Sequence, residues 1–177
     1  MRAMRSRKKQ ILLAGAALVV IGIIWAAGSG WGAPRGDTRQ SREQILEASL
    51  AKGTDWRIVT ESQVADYIVS GGVSSDGMAT IAVFAPEGAG KYRFYTATNR
   101  SRNHPMLAGA TINGSWYDLC WFPDVPTEYA LLTYTANGEI QTLRFDTGDG
   151  DIIANPAPQG DYTLQARYVD GDGIWYE

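Results

Sequence analysis

Residues Ile11–Gly28, ILLAGAALVVIGIIWAAG, constrain this chain more than any other stretch. The run has no charge and no proline, and Arg2, Arg5, Arg7, Lys8 and Lys9 stand just before it. A bilayer core about 30 Å thick takes about 20 apolar residues in a helix. Ile11–Gly28, extended through Ser29–Trp31, reaches that length, and a helix is the only single-segment way to satisfy its backbone in lipid. Trp25 and Trp31 fall near the outer end, where indoles favour the membrane–water interface. The basic cluster is expected to stay cytoplasmic, which places the C-terminal part outside. The expected organisation is a basic N-terminus over 1–10, a transmembrane anchor over 11–31, a linker over 32–36 and an exported domain over 37–177. A cleaved secretory signal is the rival reading, with Ala26-Ala27-Gly28 as the cleavage site and a secreted product. Signal apolar regions run about 7–15 residues, shorter than this one.

Without the anchor, roughly 145 residues are left, a common size for one domain that can build a core without staples. Cys120 is the only cysteine, so no internal disulfide can form. An exported domain of that kind is ordinary in a bacterium. Of 16 Lys and Arg, five precede the anchor. The 11 that follow face all 19 Asp and Glu, so the exported part carries a net charge of −8. Nucleic acid and anionic head groups need a basic surface, so neither is expected as a ligand.

Asp37–Lys52 reads as a helix. Ser41 with Gln44 forms a capping-box pattern, and Gly53 stands where a C-cap glycine would. Ile45, Leu46, Ser49 and Leu50 share one face, expected to lie on a sheet, with Arg42, Glu43 and Glu47 on the other. After Gly53 the period changes to two. Strands are expected over 55–61, 65–73, 78–85, 91–98, 106–112 and 115–122, with Asn113-Gly114 as a two-residue hairpin turn. The clearest hairpin, Tyr129–Phe145, turns at Asn137-Gly138. A type I′ turn there sets Leu132 opposite Leu143, Ala130 opposite Phe145 and Tyr134 opposite Gln141, with Thr133, Thr142 and Arg144 on a wetter face. Asp161–Val169 alternates in the same way, and Ile174–Tyr176 is a short final strand. The expected fold is α+β, mainly β: an antiparallel sheet or sandwich of about eight strands with one N-terminal amphipathic helix, preceded by the transmembrane helix.

A basic start, one span, one helix and a β-rich domain carrying WYDLCWF and YALLTYTANGEIQTLRFD together resemble small single-span membrane-anchored proteins of Gram-positive bacteria. The resemblance lies in layout across most of the chain and implies no activity and no site residues.

Residue chemistry narrows the field. His104, the only histidine, lies in NRSRNHP beside a proline, with no nucleophile-elbow glycine pattern anywhere. One His and one Cys do not make a conventional zinc site. The runs Asp146–Asp151 and Asp170–Gly173 hold clustered acids but lack the spacing and terminal Glu of a calcium loop, and Asp-Gly is also what tight turns require. Gly88-Ala89-Gly90-Lys91 has the wrong spacing for a phosphate loop. Cys120 has no basic neighbour to activate it. No cofactor is expected. The exported part is rich in Trp and Tyr, and Tyr95, Tyr117 and Trp121 are the candidate platform for a sugar ring or a peptide. The expectation is a non-enzymatic, membrane-anchored extracytoplasmic domain that binds an envelope protein or a wall glycan. A hydrolase of wall glycan or peptide, using acids in loops, is an alternative. An accessory subunit of a membrane complex is another.

Overall fold

The computed structural model describes residues 35–50, 53–124, 127–147 and 150–176. The expected anchor and its basic flank lie outside these residues. Among the described residues no helix is long and apolar enough to cross a membrane.

Among the described residues one helix and eleven strands form, where about eight strands were expected. Helix α1 spans Arg39–Ser49. The strands are β1 Trp56–Val64, β2 Tyr67–Ser74, β3 Met78–Gly88, β4 Lys91–Ser101, β5 Met106–Ile112, β6 Ser115–Trp121, β7 Tyr129–Ala136, β8 Glu139–Asp146, β9 Ile153–Pro156, β10 Tyr162–Val169 and β11 Trp175–Tyr176. They make three antiparallel sheets, ordered β1-β2-β3-β4, β5-β6-β9 and β11-β10-β7-β8. Strand β9, IANP, shows no alternation and ends in a proline. It is a strand because β6 offers it a partner, Asn155 opposite Asp118 and Ile153 opposite Cys120.

Three cores separate four layers. Ile45 and Leu46 of α1 pack on Trp56, Ile58, Ala82 and Phe84 of the first sheet. The opposite face of that sheet, through Val69, Ile81 and Val83, meets Met106, Ile112, Leu119 and Trp121 of the middle sheet. The far side of the middle sheet, through Cys120 and Ile153, meets Ala130, Leu132, Tyr134 and Tyr168 of the third. A strand buried on both faces loses its alternation. That is why β3 reads as the unbroken run MATIAVFA, and why WYDLCW of β6 is apolar on both sides. Trp121 is fully buried, and its indole N–H donates to Gly150 O at 3.0 Å. Its ring fills space that only a glycine leaves. A Cβ on Gly71 of β2 would lie 2.9 Å from the indole and 2.7 Å from Thr60.

The helix differs from expectation in two respects. Thr38, not Ser41, is the N-cap. Its backbone is extended, its side-chain hydroxyl accepts the Ser41 N–H at 3.1 Å, and the Ser41 hydroxyl accepts from Thr38 N at 3.0 Å. Arg42, expected on the wet face, is buried. Its guanidinium donates to both Glu61 carboxylate oxygens at 2.8 and 2.9 Å and to Gly36 O, and lies 5.9 Å over the Phe84 ring. Burial alone would raise the Glu61 carboxyl, but bonds from Arg42 and Ser70 and the charges of Arg42 and Arg39 outweigh it and hold it low. Glu43, on the same helix, accepts the Ile58 N–H at 2.9 Å beside a bulge at Val59, so the helix also closes part of the β1 edge.

The predicted hairpin registers hold. Leu132 faces Leu143, Ala130 faces Phe145 and Tyr134 faces Gln141, with φ of 53° at Asn137 and 81° at Gly138. The β1–β2 turn was not legible, because Ala65-Asp66 is no turn signature. Ala65 nevertheless sits at φ 55°.

Three outcomes are expected. Ala65→Asn should stabilise by about 1 kcal/mol in thermal melts, by relieving a left-handed alanine. Gly71→Ala should cost about 1–3 kcal/mol through overpacking against Trp121. Glu61→Gln should cost about 3 kcal/mol at neutral pH by leaving Arg42 buried and unpaired. Because the Glu61 pKa is lowered in the fold, its contribution is present above its ordinary value of 4.5 and lost as pH falls through the lower folded value. Melts of Glu61→Gln should therefore show a flatter pH dependence across that acidic window than the unmodified chain.

Candidate functional site

The three aromatic residues expected to form a platform differ in exposure. Tyr95 on β4 is 41% exposed and meets Tyr67 edge-on at 6.2 Å. Tyr117 is half-buried against the core between the first and middle sheets. Trp121 points into the same core and presents no ring to a ligand. It is a core residue, and the platform as expected does not assemble.

The opposite face of β6 holds an ordered polar group. Asp118 is buried, and its Oδ1 accepts from the Tyr162 hydroxyl at 2.9 Å across to the third sheet. Asn155 Nδ2, beside it on β9, donates to the Tyr134 hydroxyl at 2.9 Å. Burial first, and the Asp118 carboxylate next, push the Tyr162 phenol up to about 12. Burial first also raises the Tyr134 phenol. Burial and then the Asp118 charge lift the Cys120 thiol to about 12. Neither the thiol nor these phenols ionise near neutral pH, so the group supplies no nucleophile and serves to fasten two sheets. Trp116 stands over the Gly109 position at its margin, 51% exposed, where a Cβ on Gly109 would come 2.1 Å from the indole.

A cleft of about 370 Å³ opens where three strands at sheet edges converge. Ser62 comes from β1, Phe145 and Asp146 from β8, and Ile153 and Ala154 from β9, with Asp151 beside them. Its lining mixes apolar residues, Phe145, Ile152, Ile153 and Ala154, with hydroxyls and two carboxylates. The Asp146 side chain is 84% exposed and pairs with Arg144 at 3.0 Å. It lacks the apolar enclosure from which a glycosidase general acid is built. The second acidic run is a turn. Asp170 Oδ1 accepts the backbone N–H groups of Asp172 and Ile174 at 3.0 and 2.9 Å, and Oδ2 accepts from the Tyr176 hydroxyl. The Ile174 N–H is the main cause holding that carboxyl low. Among the described residues no three His, Cys, Asp or Glu side chains gather in a way that could hold a metal. His104 is exposed in the turn between β4 and β5.

The third sheet is different in kind. Its inner face packs, and its outer face is exposed or half-exposed except at Val169, which is buried. Cross-strand pairing sets the outer residues in rows: Trp175, Val169, Tyr129 and Asp146, then Arg167, Leu131 and Arg144, then Gln165, Thr133 and Thr142, then Thr163, Thr135 and Ile140. The Arg144 guanidinium lies 3.8 Å from the Tyr129 ring centre, and that of Arg167 lies 5.1 Å from Trp175. Such stacking holds a flexible cation in place. Trp175 is 52% exposed and Ile140 72%. Alternation in the β7–β8 hairpin already marks Thr133, Thr142 and Arg144 as one face, and the pairing of β10 with β7 adds Arg167 to it. What alternation cannot show is that the end of the chain folds Trp175 into the same surface.

No protein-family model, no curated protein and no solved structure matches the chain.

Tyr162→Phe should cost about 2 kcal/mol in chemical denaturation, since it leaves a buried carboxylate oxygen without its donor. Cys120 should resist an aromatic disulfide reagent at pH 8 in the folded chain and react at once when denaturant is added.

Proposed function

We propose that this protein is a non-enzymatic, membrane-anchored extracytoplasmic module that binds another protein of the envelope. The observation that carries the reading is the composition of the third sheet's open face. Exposed Trp175 and Ile140, half-buried Tyr129 and Leu131, and two arginines held on aromatic rings stand together with a single carboxylate, Asp146. Trp, Tyr and Arg are the residues enriched at the centres of protein interfaces, while Lys, Glu and Asp are depleted there. Surfaces that grip glycan need bare rings, and here the arginines lie over the rings instead. The apolar run over 11–31 and its basic flank support the anchored, outward-facing topology.

The test uses the full chain in living cells, with a photoreactive residue at Thr163 on the open face. A discrete protein adduct is expected. Trp175→Ala should weaken it about tenfold or more, the loss typical of an aromatic anchor. Adducts to glycan alone would move the reading to wall binding, and the absence of any adduct would remove it.

A further inference from the structure

The edges of the three sheets are treated unequally. The β1 edge is bulged at Val59 and capped by Glu43 of α1. The β3–β4 register shifts twice, once by an extra residue in β4, and Gly36 N–H donates to the Tyr92 carbonyl of β4 at 2.8 Å. Strand β5 has β3 and β4 packed against it. Strand β9 has four residues and a proline, and β11 has two residues. These are the usual means of blunting a sheet edge. Strand β8 has none of them. It runs eight residues without bulge or proline, none of its side chains is fully buried, and no described strand pairs on its outer side.

The two-residue turn decides which backbone groups that edge offers. Ala136 and Glu139 flank it and bond to each other, so odd-numbered residues of β8 face β7 and even-numbered ones face outward. The bond from Thr147 N–H to Glu128 O, at 3.1 Å, continues the odd series. The N–H and C=O groups of Ile140, Thr142, Arg144 and Asp146 therefore point away from the sheet, at a repeat of about 7 Å. An extended polypeptide backbone is the ligand that matches such a row.

We infer that β8 is a docking edge for an extended segment of the partner protein, added as a fifth strand to the third sheet, with the cleft at its end receiving a side chain of that segment. The inference rests on the protein-binding reading above and specifies its mode. Phe145 and Asp146 of β8 line the cleft, so a strand laid along the edge runs into it. On the inner side its residues would meet Leu143 and Phe145, and on the outer side Thr142 and Arg144. The segment should therefore alternate apolar residues with hydroxyl or acidic ones. At the cleft, the carboxylates of Asp146 and Asp151 beside Phe145, Ile152 and Ile153 favour a basic side chain with a long aliphatic stem.

The test compares the full chain in native membranes with the same chain purified in detergent. Amide exchange at Ile140, Thr142 and Arg144 should be at least about tenfold slower in the membranes, because only an added strand protects outward amides. Thr142→Pro removes an outward N–H and spares the β7–β8 ladder, which a proline on an edge strand permits. It should leave the melting temperature nearly unchanged and cut crosslinking from a photoreactive residue at Ile140 by about tenfold or more, whereas Thr142→Val, which keeps the N–H, should not. Equal exchange in both preparations would overturn the edge inference, as would Ile140 crosslinks that Thr142→Pro leaves intact. If Thr163 still crosslinks a protein in either case, the binding function stands and the partner sits on the open face. If no position crosslinks a protein, both readings fall.

Discussion

The contact on which the rest of the fold depends is the indole of Trp121 against Gly71. Two sheets pack only as closely as their facing side chains allow, and here a large residue meets a position with no side chain. The hydrogen bond from the indole to Gly150 holds the ring in place. With Trp121 turned toward the first sheet, strand alternation turns Cys120 and Asp118 toward the third. One side chain thereby sets the orientation of β6, and β6 sets which face of the middle sheet each neighbouring layer covers.

The layering explains where charge is tolerated. The centre of the first sheet is covered on both faces, so a charged residue under the helix needs a full set of partners, and Arg42 finds them in Glu61, Gly36 and the Phe84 ring. Such a pair contributes less to net stability than to specificity of placement, because desolvation offsets much of its attraction. It clamps α1 in the position from which Glu43 reaches the β1 edge. Asp118 has the corresponding role one interface further on, where the Tyr162 hydroxyl ties the middle sheet to the third.

Burial also disposes of the reactive chemistry that the residue types suggest. The thiol and the interior phenols are held protonated, the Asp170 carboxylate is spent on its own turn, and Asp146 stands in solvent beside Arg144. Among the features the described residues leave open are the outer face of one sheet, one unblunted edge and a small cleft at the end of that edge. These adjoin on β8. The proposed recognition of another polypeptide would use all three.

Much of the local order was legible from the residues. Asn137-Gly138 set the β7–β8 register to the residue, because a two-residue turn requires positive φ and leaves the strands no freedom to slip. The alternation in β7, β8 and β10 likewise identified the wetter face before any packing was known. The helix was legible in type, though its true cap, Thr38, lies three residues before the expected Ser41, since both offer a hydroxyl and the choice is made by where the backbone turns extended. Burial was not legible. WYDLCW is apolar in both directions, so nothing within it says that Trp121 is interior while Trp116 is half exposed. Arg42 looked solvated because its partner lies nineteen residues away on another element. Strand β9 had no pattern of its own to read. Turn geometry and side-chain alternation are settled by residues within a few positions of one another, so the sequence alone determined the Asn-Gly hairpins and the helix after Thr38. Which face is covered, which edge is blunted and which aromatic ring meets solvent depend on sheets brought together from distant parts of the chain, and only the tertiary structure decided them.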